Sequence, residues 1–267
     1  MFSSLAAIVW DVDPEIFNLG PLSVRWYGLS WVLAFVSSIY LVKSFFKKDG
    51  VNPELVDSAF MYVFIGTVLG ARLGHVFFYG WEYYSKHPGE ILAIWQGGLA
   101  SHGAAIGIIL SVWLFSKYVL KKHMFWMLDR VVIAVAISGT FIRLGNLMNS
   151  EIVGSPTDLP WGFIFVALND GIARHPSQIY EALFSTLLFG ALLLLYHKTE
   201  IKYYRGRLFG LFMALLFTFR FLVEFLKENQ EAFEDQMALN MGQILSIPLV
   251  IAGLVLVFLA KDERIKK

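Results

Sequence analysis

The sequence predicts an all-α, polytopic integral membrane protein with about seven transmembrane helices. Three observations predict it. Hydrophobic residues make up 57% of the 267 residues and charged residues 16%, where a soluble domain carries about a quarter charged residues. The mean hydropathy is +0.61, and apolar windows of about 20 residues, the length that crosses a bilayer core, recur along the whole chain. Finally, the lysines and arginines collect in every second connection between those windows.

The spans are expected at 23–42, 57–80, 98–120, 128–150, 177–196, 208–226 and 241–260. The first stops at Lys43. The second and third carry Gly66 with Gly70 and Gly103 with Gly107, pairs four apart that suit close helix packing. The fourth is the apolar run 131–142 followed by Arg143, with Asp129–Arg130 read as an ion pair at its start. The fifth has a short charge-free run, 182–196. His175–Pro176 forces an extended turn before it, Ser177 is placed to cap it, and Glu181 to brace a cavity. The sixth holds Arg220 and Glu224, and Gln243 and Pro248 shape the seventh.

Lys43, Lys47 and Lys48 follow the first span, Lys117, Lys121 and Lys122 the third, Lys198, Lys202, Arg205 and Arg207 the fifth, and Lys261, Arg264, Lys266 and Lys267 the last. The alternate connections hold one cation each, Lys86, Arg174 and Lys227. By the positive-inside rule the N-terminus is expected outside and the C-terminus in the cytoplasm. The start, MFSSLAAIVWDVDPEIF, lacks a basic region and carries Asp11, Asp13 and Glu15, so it does not read as a cleaved signal peptide. There is no internal repeat or long linker, and a single domain over 1–267 is expected, with a short outward-facing segment at 149–177. The chain has no cysteine, which excludes a disulfide, a thiolate metal site and a cysteine nucleophile. No metal, cofactor or nucleic acid is expected.

Polar residues inside the spans carry the functional reading. Each buried arginine costs about 2.5–3.5 kcal/mol on insertion scales, so Arg72, Arg143 and Arg220 need a reason. At about 1.5 Å per residue, Arg143 and Arg220 both stand about 20 Å above the cytoplasmic ends of their helices. Arg72 reaches a similar height, and His102 and Tyr27 lie just below the outer surface. Groups from five helices at one level suggest a polar cavity toward the outer leaflet. Arginine forks match phosphate oxygens, and the phosphates at hand in a bilayer are lipid headgroups. Arg143 and Asn146, three apart, share a helix face, and Gly145 leaves room beside them or serves packing. Structural readings stand beside these. Glu224 follows Arg220 by one turn and could neutralise it, Arg72 and His75 could pair or snorkel, and His102 could be a hydrogen-bonding core residue. A transporter or binding protein for an anionic lipid would share an outward cavity. A transporter would also need a route to the cytoplasm, and the inner halves of the spans lack polar residues.

Several stretches together resemble one family. They are VRWYGL (24–29), GARLGHVFFY (70–79), GGLASHGAAIG (97–107), RLGNLMNSEIVG (143–154), RHPSQIYEA (174–182), FRFLVEF (219–225) and MGQILSIPLVIAG (241–253). In this order, over roughly residues 14–253, they are similar to the bacterial phosphatidylglycerol–prolipoprotein diacylglyceryl transferases. The resemblance implies an inner-membrane enzyme whose partners are phosphatidylglycerol, the lipid bilayer, and prolipoprotein signal peptides with a lipobox cysteine. It implies transfer of a diacylglyceryl group to that cysteine, with a thioether formed and glycerol phosphate released. It places the family's important residues on Tyr27, His102, Arg143, Asn146, Glu151, Gly154, Arg220 and Glu224. On this reading His102 takes the thiol proton and Arg143 and Arg220 stabilise the leaving phosphate. Glu151 and Glu224 orient the arginines, Tyr27 and Asn146 bind the headgroup, and Gly154 permits a tight turn. The chain departs from the family pattern at Ala104, often glycine, and at Lys227, often arginine.

Overall fold

The computed structural model describes residues 7–228 and 237–264. Seven helices among the described residues are long and apolar enough to cross a membrane. They are α1 (Trp26–Lys48), α2 (Leu55–Phe78), α4 (Ser101–Phe115, continued by a π-turn at Ser116–Leu120), α5 (Met124–Met148), α6 (Ser177–Lys198), α7 (Arg207–Val223, continued by a 3₁₀ turn at Glu224–Leu226) and α8 (Met241–Leu259). A single turn, α3 (Trp81–Tyr84), follows α2. Each expected span is present. The first runs on to Lys48, since lysine stems cover apolar surface while their heads stay in water. The third starts at Ser101 rather than 98 because Gly97 and Gly98 have φ of 81° and 69°, a left-handed kink no helix continues through.

Short strands add to the all-helical expectation. β1 (Ile8–Trp10) pairs in parallel with β4 (Phe163–Phe165), which pairs antiparallel with β5 (Ala173–Arg174). β2 (Glu15–Leu19) and β3 (Leu22–Arg25) form a hairpin before α1, and β6 (Tyr204–Arg205) pairs with β7 (Lys261–Asp262). Runs of two to five residues carry too little periodicity to be read from sequence.

The chain falls into two compact units, one ending at Leu41 and resuming at Leu128, the other Val42–Met127. In the second unit, α2 and α4 meet glycine to glycine. A Cβ on Gly70 would lie 2.4 Å from the Gly103 carbonyl oxygen, and one on Gly107 2.0 Å from that of Gly66. These glycines serve packing, as their spacing suggests. Arg72 is fully buried there and donates to the carbonyls of Ile91 (2.8 Å), Glu90 (2.7 Å) and Gly97 (2.6 Å), with its guanidinium 4.9 Å over the Tyr84 ring. Its role is to hold the chain that leads into α4, and its donors are used on backbone.

In the first unit, α7 and α8 pack through Gly210 and Gly253. Asn240 and Gln243 form a capping box that starts α8, satisfying N–H groups that a helix start leaves open. Asp129, read in the sequence as the partner of Arg130, has a further role as a cap. Its Oδ2 accepts from Gly206 N–H (2.7 Å) and its Oδ1 from Phe209 N–H (2.8 Å), so α5 caps the start of α7.

Candidate functional site

A cavity of about 380 Å³ opens among α1, α5, α6 and α7 of the first unit. Its polar end is formed by Tyr27, Arg143, Asn146, Glu181 and Arg220, and its apolar end by Val135, Ala136, Phe184, Phe212 and Leu216. The two ends differ because the helices change character along their length. Residues 135 and 143 are two turns apart on α5, and 212 and 220 are two turns apart on α7, so both helices lead from apolar wall to arginine. A larger groove of about 750 Å³ lies between α2 and α4 in the second unit, but apart from Tyr62 its lining carries no titratable side chain.

Tyr27 stands in the first turn of α1, against Gly145. A Cβ at 145 would lie 2.9 Å from both Tyr27 Cδ2 and Ser30 Oγ, so this glycine seats α1 on α5. Arg143 Nε is 2.8 Å from Glu181 Oε2 of α6, an ion pair whose N–H is not aimed at the oxygen. Arg143 Nη1 also donates to Asn146 Oδ1 at 3.4 Å. Asn146, nearly buried, passes the chain on, its Nδ2 donating to Glu151 Oε1 at 2.7 Å. Glu151 therefore reaches Arg143 through Asn146, and the carboxylate that contacts the arginine is Glu181. Sequence reasoning gave Glu181 only a bracing role. The signal was present, since Glu181 is a carboxylate one turn inside a membrane helix.

Glu151 is set by its flanks. Ser150 and Ile152 have φ of 51° and 57°, conformations uncommon for residues with a Cβ. Two bonds from α6 hold them, Gln178 Nε2 to the Glu151 carbonyl (2.7 Å) and Ser177 Oγ to the Ile152 carbonyl (2.8 Å). Ser177 thus ties down segment 149–177; it does not cap α6, whose N-cap is Pro176. The turn beside Glu151 does not depend on Gly154, whose φ is not positive. Gly154 is needed for close approach, since a Cβ there would lie 2.6 Å from the His175 carbonyl oxygen and 2.7 Å from that of Leu226. The segment also has its own core, in which Leu147, Phe163 and Phe165 pack with Trp10, Val153 and Ile179, and Trp10 Nε1 donates to the Leu147 carbonyl at 3.0 Å.

Arg220 is half exposed, and its Nε lies 3.9 Å from Glu224 Oε1. Glu224 is buried and also accepts from Asn240 Nδ2 at 3.2 Å. Lys227 Nζ lies 3.2 Å from Glu224 Oε1 and 3.7 Å from Glu181 Oε1. Of the eight residues singled out in sequence, Tyr27, Arg143, Asn146 and Arg220 line the cavity, and Glu151, Glu224 and Gly154 stand behind it. His102 belongs to the second unit, in the first turn of α4, and is exposed rather than held in a core.

Outside the spans, Arg174 is buried and anchors segment 149–177 through Asp170 and Glu228. The Ile172 N–H and then Arg174 hold the Asp170 carboxyl below its ordinary range.

The family model for prolipoprotein diacylglyceryl transferase matches residues 14–259. Three relatives bear the name phosphatidylglycerol–prolipoprotein diacylglyceryl transferase. That from Tolumonas auensis is 44% identical, covering 96% of this chain and 99% of its own. That from Chloroherpeton thalassium is 43% identical, covering 97% of each. That from Bacteroides fragilis is 43% identical over the full length of both. A match over most of the chain, carried on seven membrane-length helices, means that the chain belongs to the prolipoprotein diacylglyceryl transferase family.

Proposed function

We propose that this protein transfers the diacylglyceryl group of phosphatidylglycerol to the lipobox cysteine of prolipoproteins. The observation that carries the reading is the two-ended cavity, with Arg143 and Arg220 at one end and apolar helix faces at the other. A phospholipid has the same two-ended chemistry. The names borne by the relatives support the choice of phosphatidylglycerol and prolipoprotein.

In the reaction the cysteine sulfur attacks the glycerol carbon that bears phosphate. The carbon–sulfur bond forms, the carbon–oxygen bond breaks, and glycerol phosphate leaves with the electron pair. A thiol reacts as thiolate and has a pKa of about 8.5, so a base must take its proton. His102 is the proposed base, because neutral imidazole accepts protons at neutral pH. Arg143 and Arg220 stabilise the charge that grows on the phosphate, an effect that strengthens where water is scarce. Tyr27 and Asn146 hydrogen-bond the headgroup, while Glu151 and Glu224 act behind the arginines. The reaction site lies toward the outer leaflet of the bacterial inner membrane, with the N-terminus outside and the C-terminus in the cytoplasm.

The test is transfer by purified protein from phosphatidylglycerol labelled in its acyl chains to a lipobox peptide. Label on the cysteine is expected, and none on the peptide with serine there, since a hydroxyl is far harder to ionise. Lipid bound or moved across the bilayer without label on peptide would overturn the reading in favour of a lipid carrier.

A further inference from the structure

We propose that Lys227 is a positioning residue, a point charge buried between Glu181 and Glu224 that leaves the two cavity arginines open to an anionic headgroup. The inference rests on the phosphatidylglycerol reading and deepens it.

Lys227 does not line the cavity. Its side chain is 4% exposed, and the two glutamates beside it are 9% and 8% exposed. Those two are also the carboxylates nearest the arginines, Glu181 beside Arg143 and Glu224 beside Arg220. The side chains thus form a chain of alternating sign, Arg143, Glu181, Lys227, Glu224, Arg220. The ends face the cavity and the middle is buried. Counting Glu151 behind Asn146, the cluster has three cations and three carboxylates.

Removing Lys227 would leave one carboxylate in excess beside a site for an anion. It would also free each glutamate to engage its arginine fully, and a carboxylate that accepts two arginine N–H groups takes the donors phosphate would use. With Lys227 in place the contacts are partial. Arg143 uses Nε and Nη1, and Arg220 approaches its glutamate only to 3.9 Å. Arg143 Nη2 and both Nη atoms of Arg220 donate no hydrogen bond to protein among the described residues. An ammonium suits the central place because its three donors can divide between two carboxylates without a fixed plane.

The backbone holds Lys227 in register. It forms an antiparallel bridge with Gly154, and the Ser155 N–H donates to the Leu226 carbonyl at 2.9 Å. The lysine is therefore fixed where the end of α7 meets segment 149–177. Lysine here is no loss of a phosphate contact, since its ammonium is engaged with carboxylates behind the cavity.

The experiment compares wild-type protein, Lys227→Met and Lys227→Arg at matched amounts of folded, membrane-inserted protein. Initial rates are measured across a phosphatidylglycerol series. Lys227→Met is expected to raise KM for the lipid by about tenfold or more, and Lys227→Arg, which keeps the charge, to stay within about threefold of wild type. A lysine with only a structural role would change the yield of folded protein and leave KM alone. A wild-type KM in Lys227→Met, or equal impairment of both variants, overturns the proposal. If Lys227→Met is not recovered folded, Lys227→Arg decides by itself: KM near wild type supports the proposal, and a rise like that expected for methionine overturns it. A wild-type protein that binds phosphatidylglycerol but transfers nothing would count against the transferase reading alone. The same proteins would then be compared by lipid affinity in nanodiscs, with the same expected ratios.

Discussion

Arg143 Nε lies 2.8 Å from Glu181 Oε2 on the neighbouring helix, and Glu151, eight residues after Arg143, touches Asn146 instead. The arginine is thereby held from the side and keeps part of its fork toward the cavity. Arg143→Lys is expected to insert and fold, because the charge opposite Glu181 survives. Transfer should nevertheless fall, since an ammonium lacks the planar fork. A kcat loss of roughly 10²–10³ is the usual effect of removing one electrostatic donor to a transition state, and Arg143→Ala should be lower still. Near-wild-type turnover of Arg143→Lys at saturating phosphatidylglycerol would reduce the contact to a structural one.

Gly154→Ala tests the close approach behind the site. The added methyl would meet two backbone carbonyl oxygens, those of His175 and Leu226. Backbone cannot rotate aside as a side chain can. The variant should lose about 1–3 kcal/mol, the usual cost of overpacking, seen as a lower thermal midpoint in detergent, together with reduced transfer. An unchanged midpoint with full transfer would show that residues 154, 175 and 226 separate easily.

Topology is tested by single cysteines, on a chain that has none of its own. Lys121→Cys and Lys202→Cys should be shielded from an impermeant thiol reagent in intact cells. Asp13→Cys and Asp158→Cys should be labelled. The opposite pattern would invert the orientation and move the site to the inner leaflet.

Asp170 gives a pH dependence outside the membrane. Its carboxyl is held below the ordinary 3.8, first by the Ile172 N–H and then by Arg174. A carboxyl depressed in the folded state contributes stability above its unfolded pKa and loses it as pH falls through the folded value. The midpoint difference between wild type and Asp170→Asn should therefore be present at neutral pH and shrink below 3.8. A difference that stays constant through the acid range would remove the charge from this anchor.

What the sequence determined by itself is local or additive. Seven spans follow from hydropathy summed over about 20 residues, and all seven are helices close to their expected bounds. Arg143 and Asn146 share a face because helix geometry places residues three apart together, and they do contact each other. The glycine pairs of α2 and α4 likewise meet as their spacing implies. The choice of partner was decided by tertiary structure. Glu151 is the carboxylate expected to orient Arg143, but the packing of α6 on α5 puts Glu181 beside the arginine and leaves Glu151 on Asn146. Arg72 is satisfied by carbonyl oxygens, which every residue possesses, so no sequence pattern marks the ones that will turn toward it. Asp129 caps a helix that begins 78 residues later, and Lys227 joins two glutamates from different helices. An ionic contact depends on distances of a few ångströms between helices, and those distances are set by how closely the helices pack, which hydropathy does not encode.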